Sequence, residues 1–170
     1  MLNFEYYCPT RIVFGKGTIA RLSDLIDKSQ KILMIYGGGS VKKNGVYDQV
    51  KQALSGYDLL EFAGIEPNPK YETCMKAVDL IKKENVGFLL AVGGGSVLDG
   101  TKFIAAAAKY EGADPYDILT KGAAVKDALP LGDVITLPAT GSEMNCNAVI
   151  SRLSTNEKLA FADEKVYPRF

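Results

Sequence analysis

The sequence has no histidine, no tryptophan and only three cysteines in 170 residues. Histidine is the commonest metal ligand and the usual proton shuttle near neutral pH. Its absence excludes a histidine-based metal centre or acid–base pair built from this chain alone. Cys8, Cys74 and Cys146 are far apart, odd in number and contain no CxxC pair. They read as reduced thiols of a cytoplasmic protein, not as disulfides or a thiolate metal site. Neither sign of charge is in excess, with 20 basic and 20 acidic residues and a formal net charge of zero. That argues against a nucleic-acid partner, whose footprint demands a basic excess. No apolar run approaches the roughly 20 residues that would span a bilayer. The opening MLNFEYYCPT lacks the basic start and apolar core of a secretory signal.

What is present is the composition of one globular domain, expected over residues 1–170. Strand-like and helix-like stretches alternate. RIVF (11–14) reads as a short strand ending at Gly15-Lys16-Gly17. Thr18 reads as the N-cap of a helix to about Asp27, with Ile19, Leu22 and Ile26 on one face. KILMIY (31–36) reads as a strand covered on both faces. A helix follows with Val46, Val50 and Leu54 at i, i+4, i+8, then a strand, YDLLEFAG (57–64), and the proline-stiffened loop EPNP (66–69). A helix is predicted from Tyr71 to Asn85, a buried strand at GFLLAV (87–92) and an alanine-rich helix from Val97 to Tyr110. DVITLPA carries a strand at about 133–137. AVISR and KLAF, split by the turn-forming STNE, read as a hairpin. This alternation predicts an α/β fold with a doubly wound, mostly parallel, Rossmann-like sheet. The ending KVYPRF has the look of a chain interrupted on its way to another element, so a longer protein is expected.

The pattern strand-GGGSV-helix occurs twice, at 37–41 and 93–97. Glycine permits positive φ angles and lets a ligand approach with no Cβ in the way. A helix beginning just after such a loop points free N–H groups and partial positive charge at an anion. The second segment follows the stronger strand, so Gly94, Gly95 and Ser96 are the candidate pyrophosphate site. The motif is neither GxGxxG nor a Walker loop. A plain strand-to-helix turn is the alternative for one such segment, and the repetition weakens it. Asp99 reads either as a first-turn partner of the helix dipole, worth roughly 0.3–1 kcal/mol, or as a ligand contact beyond the phosphates. Spacing leaves these two open. In ITLPATGSEMNCNAVIS (135–151) another strand ends in a hydroxyl-rich turn, Thr140-Gly141-Ser142-Glu143. That turn suits a phosphate or ribose, or else satisfies its own backbone.

GGGSVLDGTK followed by TLPATGSEMN resembles the N-terminal half of the iron-dependent (group III) alcohol dehydrogenases. YGGGSVKKNGVYDQV and EPNP resemble their butanol dehydrogenase branch, which is similar to NADPH-dependent aldehyde reductases. Dehydroquinate synthases and glycerol dehydrogenases share the fold, but these segments fit that branch better. The resemblance covers nearly the whole chain. It implies a dinucleotide-binding first domain and an all-helical second domain whose one Asp and three His hold Fe²⁺ or Zn²⁺. It further implies that Gly94, Gly95 and Ser96 hold the pyrophosphate, and that Asp99 lies near the nicotinamide. Thr136, Thr140 and Ser142 would line the adenosine and phosphate side, Lys158 would reach the cofactor ribose, and Asn68 would lie near the adenosine. Gly37, Gly38, Gly39 and Ser40 would sit where the family discriminates its cofactors. With Lys42 and Lys43 beside them and no carboxylate near, simple Coulomb logic favours NADP(H) over NAD(H).

The implied metal domain is missing from these 170 residues. The expected function is therefore the NADP(H)-binding domain of an enzyme that interconverts primary alcohols such as butanol and their aldehydes. The chain alone is expected to be inactive. A stand-alone nucleotide-binding module and a dimer-forming structural module are the alternatives. A homodimer through the N-terminal segment is expected from the family, with no nucleic-acid or membrane partner.

Overall fold

The computed structural model describes residues 3–170. Four parallel strands, β1 (Ile32–Tyr36), β2 (Leu59–Ala63), β3 (Phe88–Gly94) and β4 (Leu131–Leu137), lie in the order β2-β1-β3-β4. Every residue of β1 and the first six of β3 are buried. That explains why their sequences are continuous apolar runs and not alternating ones. Side-chain alternation then divides them between two cores. Leu33, Ile35, Leu89 and Ala91 pack on one face with Cys74, Ala77, Val78 and Ile81 of α4 (Tyr71–Glu84) and with α5 (Gly95–Ala108). Ile32, Met34, Tyr36, Leu90 and Val92 pack on the other with α1 (Leu22–Leu25) and α3 (Val46–Ala53). Helices on both faces make the sheet doubly wound, as expected from the alternation of elements.

The burial spacing of α4, i, i+3, i+4, i+7, gives it one apolar stripe. It stops at Glu84 because Asn85 takes the left-handed conformation with φ 54. Helix α5 is different: residues 100–107 are all buried, since it lies against β3, α4 and the hairpin strand β5 (Asn147–Arg152). Strand β6 (Glu157–Ala162) pairs antiparallel with β5, turning at Asn156. The hairpin is anchored by Ser151, whose N–H donates to the Pro69 carbonyl at 2.9 Å. It is anchored again by Arg152, whose guanidinium lies 4.7 Å from the Tyr71 ring and 4.6 Å from the Tyr116 ring and bonds Asp114 at 3.0 Å.

Three expectations need correction. Residues 11–14 form no strand. Their one ladder-like bond runs from the Arg11 N–H to the Arg169 carbonyl, and Phe14 is 97% exposed. A strand needs a paired neighbour, and β4's edge is instead met by Arg169 and Phe170, which bond Leu131 and Asp133. The helix expected from Thr18 to Asp27 is a 3-10 turn, Thr18–Arg21, running into the short α1. It ends early because the Asp27 carboxylate accepts from the N–H and hydroxyl of Ser29, closing a local turn. Thr18 is not its N-cap: Gly17 is, while the Thr18 hydroxyl donates to the Gly15 carbonyl. Two further short α-helices are α2 (Ser40–Lys43) and α6 (Asp117–Thr120).

Candidate functional site

Strands β1 and β3 are neighbours, but the chain leaves them in opposite directions, from β1 outward to β2 and from β3 outward to β4. Connections that diverge leave a crevice beyond the strand ends, where open α/β sheets bind ligands. Both glycine loops open into that crevice.

The second loop begins α5. Gly94 is its N-cap, with φ −92 and ψ −174, and no side chain caps the helix. The first N–H groups of a fourteen-residue helix therefore face outward unpaired. A Cβ placed on Gly94 would meet nothing closer than Leu137 Cβ at 4.0 Å, so this face is open. Of the two reasons for glycine, positive φ does not apply here, because none of Gly93, Gly94 and Gly95 has positive φ. Contact is the reason: a Cβ on Gly93 would lie 2.7 Å from Val97 Cγ2, and one on Gly95 would lie 2.6 Å from Thr140 Oγ1. In the first loop Gly39 alone has positive φ, at 99, and Gly38 faces open space.

Around the first loop the expectation of no nearby carboxylate is overturned. Glu61 on β2 accepts from the hydroxyls of Tyr36 at 3.0 Å and Tyr47 at 2.7 Å, and from Lys51 Nζ at 3.1 Å. Partial burial pulls its pKa upward, but the three donors hold it below the ordinary carboxylate value. Tyr47 is pushed up to about 12 by donating to that carboxylate. Lys42 does not project alone into solvent. Its Nζ lies 5.2 Å from the Tyr36 ring centroid and 4.7 Å from that of Tyr47. Ser40 begins α2 and is exposed beside it.

The EPNP loop and the hairpin meet at the rim. Lys158 Nζ donates to Asn68 Oδ1 at 2.7 Å, and Asn68 holds a left-handed turn with φ 55. The structure thus brings to one point two residues that the resemblance assigns to different parts of a cofactor. Asp99 lies in the second turn of α5, one turn later than expected, so it is not a first-turn dipole partner. Its carboxylate accepts from the Ser142 hydroxyl at 2.7 Å and from the Val149 N–H at 3.1 Å. Ser142 itself is 3% exposed. Thr140 is exposed over Gly95 and accepts from the Ser142 N–H. Thr136 lies on β4, half-buried, between the residues paired with Gly93 and Gly94.

Lys102 was invisible to motif reading. It is fully buried, and its Nζ donates to Ser142 O (2.7 Å), Ser142 Oγ (2.9 Å), Asn145 Oδ1 (3.1 Å) and Asn147 O (2.9 Å). Burial lowers its pKa to about 8. Asp133 on β4 has two buried oxygens with no hydrogen-bond partner, and burial raises its pKa well above the ordinary value. A signal for Lys102 did exist: it is the one charged residue in GTKFIAAAA, a segment apolar all round, and such helices are buried.

The donor set fits a dinucleotide phosphate, with unpaired helix N–H groups, an open glycine face and neighbouring hydroxyls. It does not fit a metal ion. Among the described residues no three His, Cys, Asp or Glu side chains come together.

The profile of the family described as iron-containing alcohol dehydrogenase matches residues 9–170. The chain is 61% identical over 172 residues to the NADPH-dependent aldehyde reductase YqhD of Escherichia coli K12, covering all of this chain and 44% of that protein. It is 50% identical over 173 residues to a probable NADH-dependent butanol dehydrogenase 1 of Bacillus subtilis, again covering all of this chain and 44% of the relative. The crystal structure of E. coli YqhD superposes with a TM-score of 0.95 at 61% identity, over 99% of this chain and 44% of that one. The NADH-dependent butanol dehydrogenase A of Thermotoga maritima superposes with a TM-score of 0.93 at 46% identity, over 98% and 43%. The chain thus spans less than half the length of these relatives. Over the part it does span, sequence and fold agree, and the chain belongs to the iron-containing alcohol dehydrogenase family.

Proposed function

We propose that the chain is the NADP(H)-binding domain of a two-domain alcohol dehydrogenase or aldehyde reductase acting on primary alcohols such as butanol and their aldehydes. The observation that carries this reading is the pair of glycine loops at the ends of adjacent, diverging strands, with the uncapped N-terminus of α5 behind the second. The N–H groups of Gly95 and Ser96 bind the pyrophosphate across the open face of Gly94, with the Thr140 hydroxyl beside it. Lys158 and Asn68 act as a joined pair on the cofactor's ribose side.

The named relatives differ in cofactor, NADPH for one and NADH for another. The preference here is assigned from the residues around Gly37, Gly38, Gly39 and Ser40. Glu61 has its charge taken up by three donors, and Lys42 is held on two rings, so the loop presents a net cation to a 2′-phosphate.

When bound, the nicotinamide supplies the hydride, and the residues described here bind and orient it. The metal ligands and the rest of the substrate pocket are assigned to a second domain. The three free cysteines fit a cytoplasmic setting. The exposed aromatic segment with Phe4, Tyr6, Tyr7 and Phe14 fits a homodimer contact.

Titration of the 170-residue chain with NADPH and NADH, followed by nicotinamide fluorescence, tests the reading. Tighter binding of NADPH, with no turnover of butanal on addition of Fe²⁺ or Zn²⁺, is the expected result. No binding of either dinucleotide, or turnover by this chain alone, would overturn it.

A further inference from the structure

The four acceptors on Lys102 Nζ all come from residues 142–147, although Lys102 stands on α5 some forty residues earlier. One buried ammonium therefore stitches the turn after β4 to the helix that carries the second glycine loop. The turn is organised around it. Asn145 Oδ1 accepts from the Asn147 N–H at 2.8 Å, and Asn145 Nδ2 donates to the Gly141 carbonyl at 2.9 Å. Ser142 Oγ accepts from Lys102 and donates to Asp99, which in turn accepts from Val149. Thr140, at the head of this turn, then lies over Gly95 at the distance that leaves no room for a Cβ.

Packing alone does not account for a charge in that place. A methionine or leucine would fill the volume without desolvating an ammonium, and buried charges are commonly less stabilising than apolar replacements. What an ammonium adds is three directed donors, which gather the carbonyls and the hydroxyl of the 142–147 turn at one point on α5.

We infer that Lys102 is a positioning residue for the cofactor: its ammonium clips the 140–147 turn onto α5 and so holds Thr140 and Asp99 in the binding-competent arrangement. The inference rests on the dinucleotide reading above. It also sets a pH response. The groups facing Nζ are Asp99 from its own helix, Asp133 from β4, and Glu143 and Cys146 from the turn. Desolvation outweighs these, so the charge is lost in the folded chain above about pH 8. A neutral amine has two N–H groups for these four acceptors, so at least one of the bonds that hold the turn is lost.

The test uses the 170-residue chain and its Lys102→Met variant, with amide exchange of residues 140–147 by mass spectrometry and NADPH titration at pH 7 and pH 9. The variant is expected to exchange about tenfold faster in that segment alone and to bind NADPH about tenfold more weakly, as for loss of a charged hydrogen-bond set. NADPH binding by the unaltered chain should weaken from pH 7 to pH 9, and that dependence should be lost in the variant. Unchanged exchange in the segment would overturn the clip. Faster exchange with unchanged affinity or an unchanged pH profile would overturn its role toward the cofactor. If the unaltered chain binds no dinucleotide, the functional reading fails with the cofactor role, and the exchange result still decides the clip. Should Lys102→Met not fold, Ser142→Ala, which cuts the link to Asp99 and leaves the ammonium, is expected to weaken NADPH binding about threefold, and an unchanged affinity would count against the inference.

Discussion

Lys42 Nζ lies 4.7 Å from the ring centroid of Tyr47, and the hydroxyl of the same ring donates to Glu61. A phenol that donates to a carboxylate gains electron density in its ring, which strengthens the ring's hold on a cation. Lys42→Met should therefore weaken NADPH binding by about 1 kcal/mol, or fivefold, and leave NADH nearly unchanged. Tyr47→Phe should act in the same direction with about half the effect, because it removes one of the two donors on Glu61 Oε1 and keeps the ring under Lys42. Paired titrations with 2′,5′-ADP and 5′-ADP isolate the phosphate. Equal losses for both nucleotides would refute the assignment.

Gly95→Ala should disturb the site through contact and not through backbone strain. The new methyl would meet Thr140, whose Cβ and Cγ2 are also within 3.5 Å, so rotating the threonine brings no relief. Overpacking of this kind costs about 1–3 kcal/mol. Chemical denaturation should register that loss, and the double change with Thr140→Gly should recover most of it. Gly38→Ala, which faces open space at an ordinary φ, should be nearly neutral in the same assay.

The sheet, α4, α5 and the hairpin were legible in the sequence because each combines a clear period with a turn signal at its ends. Residues 11–14 have the β-branched, apolar look of a strand, yet pairing is a property of the partner, and β4's edge is taken by residues from the chain's other end. Both glycine loops were legible as loops, though the reason for Gly93 and Gly95 was not, since it lies in Val97 and Thr140. Lys102 and Glu61 escaped for a common cause. Each acquires its setting from residues distant in sequence, the 142–147 turn for one and Tyr36 with Tyr47 for the other.

Asp133→Asn should stabilise the chain at neutral pH. Burial, reinforced by Glu143, raises the folded-state pKa of Asp133, with Lys102 opposing. For a carboxyl raised on folding, the folded state binds the proton more tightly, so stability is lost as pH rises from the unfolded value through the folded one. The amide carries no such charge. The variant's advantage in urea denaturation should be present at pH 7 and should vanish near pH 4. An advantage independent of pH would assign the effect to packing.

Arg152→Ala should loosen the hairpin. The guanidinium fills the space between Tyr71 and Tyr116 and bonds Asp114, but it is partly solvated, so its removal should cost about 1–2 kcal/mol. The same variant should raise amide exchange in residues 147–162 and weaken dinucleotide binding through displacement of Lys158 from Asn68. A stability loss with no change in hairpin exchange would place the effect elsewhere.

The alternation of side chains along β1 makes adjacent residues strangers in energy. Leu33 belongs to the core behind α4 and α5, and Met34, one peptide away, belongs to the core behind α1 and α3. Trimming either to alanine should cost about 2–5 kcal/mol, and each loss should fall on its own core. Changes at Leu33 and its companions press on α5 and hence on the second glycine loop, whereas changes at Met34 press on Tyr36, Val41 and Tyr47 beside the first. The sheet is a wall as well as a scaffold: it separates substitutions felt at one glycine loop from those felt at the other.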